Sequence, residues 1–325
     1  MTTYSERSRL IDGFSVIYSQ NNQAMKLSSA IYQTLLLIYK VLPFQSTWAH
    51  LLRWFPINLD RFYRDLNFKG TSVVRTKSGN FRINHIGTSI DNQIFWKGLY
   101  HSFEEDTIWM WELLCKDSDV ILDVGSNTGI YSLLAKTENP NAIVIAFEPS
   151  QKIYPELATN VRLNNMDIVL EKIALSDSND DQVFFDSAVG GFPSSGSLNA
   201  LKLKDRTSNQ DEIWEYKVVC STLDSYLYDK NITKIDLIKV DIELHEPEFF
   251  DGFTQLQSFR PAIIVEILTD DVANKLKAKV DLTNYRLFRL TGFKEMIELS
   301  SFSADPNHVN HLLIPKEKTL PDFSS

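Results

Sequence analysis

Residues 120–135, VILDVGSNTGIYSLLA, constrain this chain more than any other stretch. An apolar run reaches Asp123, Gly125 and Gly129 bracket Ser126-Asn127-Thr128, and Ile130, Leu133 and Leu134 then recur at helical spacing. The pattern predicts a buried strand, a tight turn and a helix. The glycines can take backbone angles closed to other residues and let a ligand approach the main chain. Ser126 and Thr128 are placed to cap the new helix, whose first amides lack partners. A nucleoside-bearing cofactor fits such a turn, and so does an ordinary strand-to-helix loop with two glycines.

The downstream sequence narrows the choice. Ala142 to Phe147 reads as a second buried strand ending at Glu148, 25 residues after Asp123. An acid there suits a ribose whose hydroxyls donate to a carboxylate. A dinucleotide would require a G-x-G-x-x-G turn, and Ser126 and Asn127 stand where its second close-approach glycine belongs. S-adenosylmethionine has no phosphate and bears a sulfonium cation that acids at strand ends favour, so it is the better match. An NAD(P)-binding Rossmann-type oxidoreductase and a non-catalytic nucleotide-binding module are the alternatives.

The run DVGSNTGIYSLLA is followed by AFEPS, by IALSD at Ile173 to Asp177 and by KVDIELHE at Lys239 to Glu246. With these four motifs in order, the chain resembles the FkbM-type S-adenosylmethionine-dependent methyltransferases over roughly residues 95–315. The resemblance implies a doubly wound, mostly parallel, seven-stranded α/β sheet of the class I, Rossmann-like kind. It implies S-adenosyl-L-methionine as cofactor, bound by Asp123, Gly125, Ser126, Asn127, Gly129, Glu148 and Asp177, the last accepting from the adenine amino group. It also implies O-methylation, with a hydroxyl on a saccharide or glycoconjugate as the expected acceptor.

The rest of the body fits such a sheet. Thr71 to Ile86 reads as a hairpin, and Asp91 to Leu114 as an aromatic-rich helical stretch in which Phe103 to Asp106 could touch the cofactor tail. Ile168 to Leu175, Ile235 to Val240 and Pro261 to Leu268 read as further buried strands, with Glu266 near the exit of the last, where it could line the acceptor site. Tyr285 to Leu290 and Val309 to Ile314 complete the sheet, the latter inserted antiparallel. Between Val183 and Val219 lies a long stretch rich in Gly, Ser and Asn, the candidate acceptor-binding loop.

Asp241, Glu243 and His245 follow the strand that ends at Val240 and are the candidate catalytic residues. Ligands of open α/β sheets bind beyond the carboxyl ends of strands where strand order reverses, so this cluster should face the transferred methyl group. On an alternating chain the three would point to one side. His245 has the unperturbed pKa suited to a general base, and Asp241 stands nearer the strand end. A structural network of paired acids and an imidazole is the competing account. Relatives commonly have glycine where Leu244 stands, a departure that bears on the shape of this loop. No metal is expected: the spacing of His308 and His311 matches no compact zinc pattern, and a magnesium site on Asp241 and Glu243 is the strongest metal alternative.

The net charge of -9 hides an asymmetry: residues 1–70 carry +4 and the remainder -13. An acidic body argues against nucleic acid as substrate. The expected organisation is a basic helical extension over 1–70, a methyltransferase domain over 71–318 and a polar tail over 319–325. Leu27 to Tyr39 is uncharged, flanked by Lys26 and Lys40 and halted by Pro43. It is too short to span a bilayer, so it packs on the domain or lies at a membrane interface as part of a peripheral contact through residues 24–68. Two cysteines, Cys115 and Cys220, suggest no disulfide framework, and a cytoplasmic setting is expected, with membrane association open.

Overall fold

The computed structural model describes residues 29–53, 66–102, 104–189, 192–199 and 212–320. The chain divides into two compact units, Met1–Phe68 and Lys69–Ser325. In the first, α1 (Ser29–Val41) and α2 (Gln45–Leu52) flank Pro43, and Phe44 takes a left-handed conformation between them. Leu36, Tyr39 and Ala49 are buried, whereas Leu37, Val41 and Phe44 are 65%, 74% and 80% exposed. Ile38, Trp48 and Leu51 extend that exposed apolar surface. No helix among the described residues is long and apolar enough to cross a membrane.

The second unit opens with an antiparallel hairpin of β1 (Gly70–Arg75) and β2 (Asn80–His85). Helix α3 (Ser89–Lys97) follows, started by a reciprocal cap in which the Thr88 hydroxyl accepts from the Asp91 amide and the Asp91 carboxylate accepts from the Thr88 amide. The aromatic-rich segment expected to be helical over 91–114 is two helices. Gly98, at φ 85°, stops α3 before α4 (Glu105–Lys116) begins. Trp111 on α4 donates its indole N–H to the Tyr131 carbonyl at 3.0 Å, so this helix is fixed to the next one.

From there strands and helices alternate: β3 (Val120–Val124), α5 (Ile130–Glu138), β4 (Ile143–Phe147), α6 (Tyr154–Asn164) and β5 (Ile168–Glu171). Asn84 of β2 bonds Asn160 and Glu156 of α6, which docks the hairpin on that helix. The stretch read as one strand over 168–175 breaks after β5. Its second part, β6 (Ala174–Leu175), leaves the main sheet and pairs in parallel with β10 (Cys220–Ser221). Between them lies a separate antiparallel sheet of β7 (Gln182–Val189), β8 (Phe192–Ser197) and β9 (Glu212–Val218), with β7 in the middle. The candidate acceptor loop is therefore largely strand, although residues 190–191 and 200–211 lie outside the described residues.

The chain continues through α7 (Leu223–Asp229), β11 (Leu237–Val240), α8 (Glu246–Asp251), α9 (Leu256–Phe259), β12 (Ala262–Glu266), α10 (Asp270–Lys279), β13 (Tyr285–Gly292), β14 (Glu295–Leu299) and β15 (Asn310–Pro315). The main sheet has eight strands in the order β14-β13-β15-β12-β11-β3-β4-β5. It is the α/β Rossmann-like fold, with β15 inserted antiparallel between β12 and β13. The strand beyond the expected seven is β14, which forms a hairpin with β13.

Alternation along the strands explains why they are apolar throughout. Ile121, Val144 and Ala146 face one core with Trp109, Leu133 and Leu157, while Leu122, Val124, Ile145 and Phe147 face another with Tyr226, Phe249 and Leu276. Both faces of the sheet are thus covered by helices, as a parallel sheet requires. The strand order reverses between β3 and β11, and a crevice opens beyond their carboxyl ends.

Candidate active site

A cavity of about 190 Å³ occupies that crevice, lined by Val124 to Thr128, Phe147, Glu148, Lys239 and Asp241, among others. The turn after β3 forms its floor. The amides of Gly125 and Ser126 both donate to the Phe147 carbonyl at 3.0 Å, and the Asp241 amide donates to Val124 at 3.0 Å. Gly125 has φ 83°, and a Cβ there would lie 1.9 Å from the Asp241 carbonyl oxygen. Glycine is required by conformation and by packing alike. Neither Ser126 nor Thr128 caps α5. The cap position is Gly129, in a left-handed conformation with no side chain to offer, and the Ser126 hydroxyl instead donates to the Asp123 carbonyl at 2.7 Å.

Glu148 closes one end of the cavity. Its two carboxylate oxygens accept from the Asn127 amide at 2.9 Å and the Ser150 amide at 2.8 Å. Burial pushes its pKa up to about 7, against the lowering effect of those two amides. Beside it, the Ser150 hydroxyl donates to Asp186 at 2.7 Å, and Tyr216 also donates to Asp186. These contacts fasten β7 and β9 to the loop after β4. Phe184, Gly196 and Leu198 from this small sheet line the cavity as well.

The other end is acidic, with a lysine inside it. Lys239 of β11 lies beside Asp123 of β3 in register and is only 2% exposed. Its Nζ donates to Asp241 Oδ2 at 2.6 Å and lies 4.3 Å from the centre of the Tyr131 ring. Burial alone would lower its pKa, but the carboxylates of Asp241, Glu104 and Asp123 outweigh it and the net shift is upward. Tyr131 in turn donates its hydroxyl to Glu104. Glu266, at the end of β12, completes the group. One oxygen from each of Glu104, Asp241 and Glu266 lies within 4.8 Å of the others.

Residues 123–299, more than half of the chain, match the family profile described as the methyltransferase FkbM domain. The chain belongs to that family. The hexuronic acid methyltransferase AglP of Haloferax volcanii is 27% identical over 164 residues, covering 50% of this chain and 62% of AglP. Methyltransferase 1 of Beauveria bassiana is 25% identical over 150 residues, covering 42% of this chain and 59% of that protein. The chain spans less than two thirds of the length of either relative. Among solved structures, a methyltransferase from Agrobacterium tumefaciens described as dependent on S-adenosylmethionine is similar at 11% identity and a TM-score of 0.40, over 77% of this chain and 72% of that one.

FkbM methyltransferases use S-adenosylmethionine, and the residues of this cavity fit that cofactor. Asp123 carries a buried Oδ1 with no hydrogen-bond partner, while its Oδ2 accepts from Ser132 at 2.5 Å. Gly125, Ser126, Asn127 and Glu148 line the cavity; Asp123, Gly129 and Asp177 are not among the lining residues. Asp123 lies directly behind the wall in β3, Gly129 begins α5, and Asp177 is exposed beyond β6 next to Ser176. Neither His308 nor His311 lines the cavity. His311 is buried against the carbonyls of Val309 and Ser303, and its pKa falls to about 4 through that burial.

Asp241, Glu243 and His245 all line the cavity, but not by strand alternation. The chain leaves β11 at Val240, and Glu243 and Leu244 turn it with φ of 58° and 71°. Leu244 thus holds a left-handed conformation that glycine would adopt at lower cost. The Glu246 carboxylate holds the turn by accepting from the amides of Ile242 at 3.3 Å and Leu244 at 3.2 Å. His245 Nε2 meets the Ser176 hydroxyl at 2.9 Å, and its Nδ1 lies 3.7 Å from Glu248. Burial lowers its pKa, so the ring is neutral and tied to its neighbours.

Glu104 lies in the 103–106 segment expected near the cofactor tail, whereas Lys239 and Tyr131 join the cavity without having been singled out. A signal for Lys239 existed: one lysine within the apolar run Ile235–Val240 is hard to bury without a partner. No comparable signal marks Tyr131, which reads as an ordinary apolar position of α5.

Proposed function

We propose that this chain is an O-methyltransferase acting on a hydroxyl of a saccharide or glycoconjugate. The observation that carries this reading is the polarity of the cavity: a carboxylate fit for a ribose at one end, and the Lys239–Asp241 pair at the other. Bound S-adenosylmethionine supplies a methyl group on a cationic sulfur. Glu148 would accept from the ribose hydroxyls, and the turn from Gly125 to Asn127 would hold the nucleoside against the ends of β3 and β4. Asp241 donates nothing and has its Oδ2 engaged by Lys239, so its Oδ1 is the group to receive the acceptor hydroxyl and orient it for in-line attack. Lys239, its pKa raised, holds its proton and is excluded as the base. His245 acts by position, keeping Ser176 and the 241–245 turn together. AglP, named for a hexuronic acid, lends support to a sugar acceptor.

The test is transfer from S-adenosylmethionine labelled at the methyl group, with the full chain and a panel of neutral sugars, amino sugars and uronic acids. Label fixed in the sugar and stable to mild alkali is expected, since an ether resists hydrolysis. Release of the label as methanol would place it on a carboxyl group, and the hydroxyl reading would fall.

We also infer that the first unit contacts a membrane surface from the cytoplasmic side. Leu37, Val41, Phe44, Trp48 and Leu51 are exposed on α1, α2 and their connection, beside the exposed Lys40. Cys115 and Cys220, both buried free thiols, suit a reducing compartment. The expected result is co-sedimentation with anionic vesicles that weakens with salt and is lost in the double variant Phe44→Ser, Trp48→Ser. Equal recovery in the supernatant with and without vesicles would sink this part alone.

A further inference from the structure

We propose that Glu104, Asp241 and Glu266 form a site for a divalent, oxygen-seeking metal ion beside the acceptor end of the cavity. Three segments far apart in sequence bring these carboxylates together: the residue before α4, the end of β11 and the end of β12. One oxygen from each lies within 4.8 Å of the others. Oxygens on opposite sides of a calcium ion stand about 4.6–5.2 Å apart, and around magnesium about 4.0–4.2 Å. Three oxygens within that bound can surround a hard divalent ion of either size.

A second observation points the same way. Glu266 Oε2 is sealed from solvent and has no hydrogen-bond partner, although the residue lines the cavity. The charged groups that face Glu266 are the carboxylates of Asp241, Glu243, Glu104 and Glu246, all of one sign. Lys239 does not relieve it. That ammonium is bound to Asp241 Oδ2 and turned toward Tyr131. With all three carboxylates ionised and Lys239 protonated, two negative charges remain, which a bound divalent cation would neutralise. The site differs from a magnesium pair on Asp241 and Glu243, because Glu243 is replaced by residues from two other elements. An ion here would take the acceptor hydroxyl as a further ligand, lower its pKa and fix its direction.

The experiment is a titration of the full chain with Mn²⁺, read by the paramagnetic resonance of the free ion, without cofactor and then with S-adenosylhomocysteine. One ion per chain, displaced by Mg²⁺ or Ca²⁺, is expected in both arms. Glu266→Gln should weaken binding at least tenfold while the thermal melting of the metal-free protein holds or rises, since an uncompensated buried acid is removed. Glu104→Gln provides a second variant with the same expected loss of Mn²⁺. Absence of Mn²⁺ binding by the folded wild type, or unchanged affinity in both variants, would overturn the site. Stoichiometric release of Mn²⁺ by S-adenosylhomocysteine would assign the carboxylates to the amino group of the cofactor instead. Because the first arm contains no cofactor, its failure leaves the methyltransferase reading untouched.

Discussion

Glu148→Ala is expected to weaken S-adenosylhomocysteine binding by about a hundredfold or more in titration calorimetry, with each 1.4 kcal/mol lost counting about tenfold. The reason is the number of contacts that converge on one side chain. Two charge-assisted bonds from a ribose, each roughly 1.5–3 kcal/mol, would be lost. The Asn127 and Ser150 amides that now donate to Glu148 would also lose their partner, loosening the turn that holds the nucleoside. The pH dependence gives an independent check. Glu148 titrates at about 7 because it is buried, and two ribose donors require the ionised form. The wild-type dissociation constant should therefore rise about tenfold between pH 8 and pH 6, as the competent fraction falls. Glu148→Gln should bind more weakly but with a flat profile over that interval. A profile as steep in the Gln variant as in the wild type would remove Glu148 from the cofactor site.

The same group makes a prediction for stability without ligand, and its sign is opposite. Its folded pKa lies above the ordinary carboxylate value, so the folded protein holds a proton that the unfolded chain releases. Its contribution is full below the unfolded pKa and is lost as pH rises through about 7. Apo protein should thus gain stability from this residue in mild acid while cofactor binding declines.

Gly125→Ala should be the most disruptive single methyl group that can be added to this site. The new Cβ would lie 1.9 Å from the Asp241 carbonyl oxygen, and the backbone would be held at φ 83°. Overpacking and left-handed strain each cost about 1–3 kcal/mol, and together they predict a melting temperature lower by about 6 °C or more. Gly98→Ala is the matched control. Gly98 has nearly the same φ, 85°, but nothing within 4 Å of the added carbon. At ψ 166° it sits in a region nearly closed to side chains, so it should show the conformational cost alone, about 1–3 kcal/mol. Equal melting temperatures for the two variants would mean that contact with Asp241 carries no weight.

What the sequence made legible was local. The strand, turn and helix of 120–138 could be read because apolar spacing and two glycines specify them within a few residues, and Glu148 because it ends a strand of the same kind. What was not legible was assembled by topology. Glu104 and Glu266 were each legible as near the cavity, but their approach to each other and to Asp241 was not, because it depends on how α4, β11 and β12 pack. Strand β14 was missed because an edge strand with an exposed pattern lacks an apolar face to reveal it. Strand β8, FPSSGS, was missed because it carries a proline and serines where a strand is usually β-branched. Asp241, Glu243 and His245 share the cavity because two left-handed residues turn that segment, not because a strand alternates there.

The Ser197 hydroxyl at the end of β8 donates to the Glu243 carbonyl at 2.7 Å. Through this bond the small sheet grips the turn that carries Asp241, and through Asp186 and Tyr216 it also holds the loop after β4 beside Glu148. One small sheet thus braces both the Asp241 turn and the Glu148 loop, so a change in β7 or β9 that removes Asp186 or Tyr216 would be felt at both.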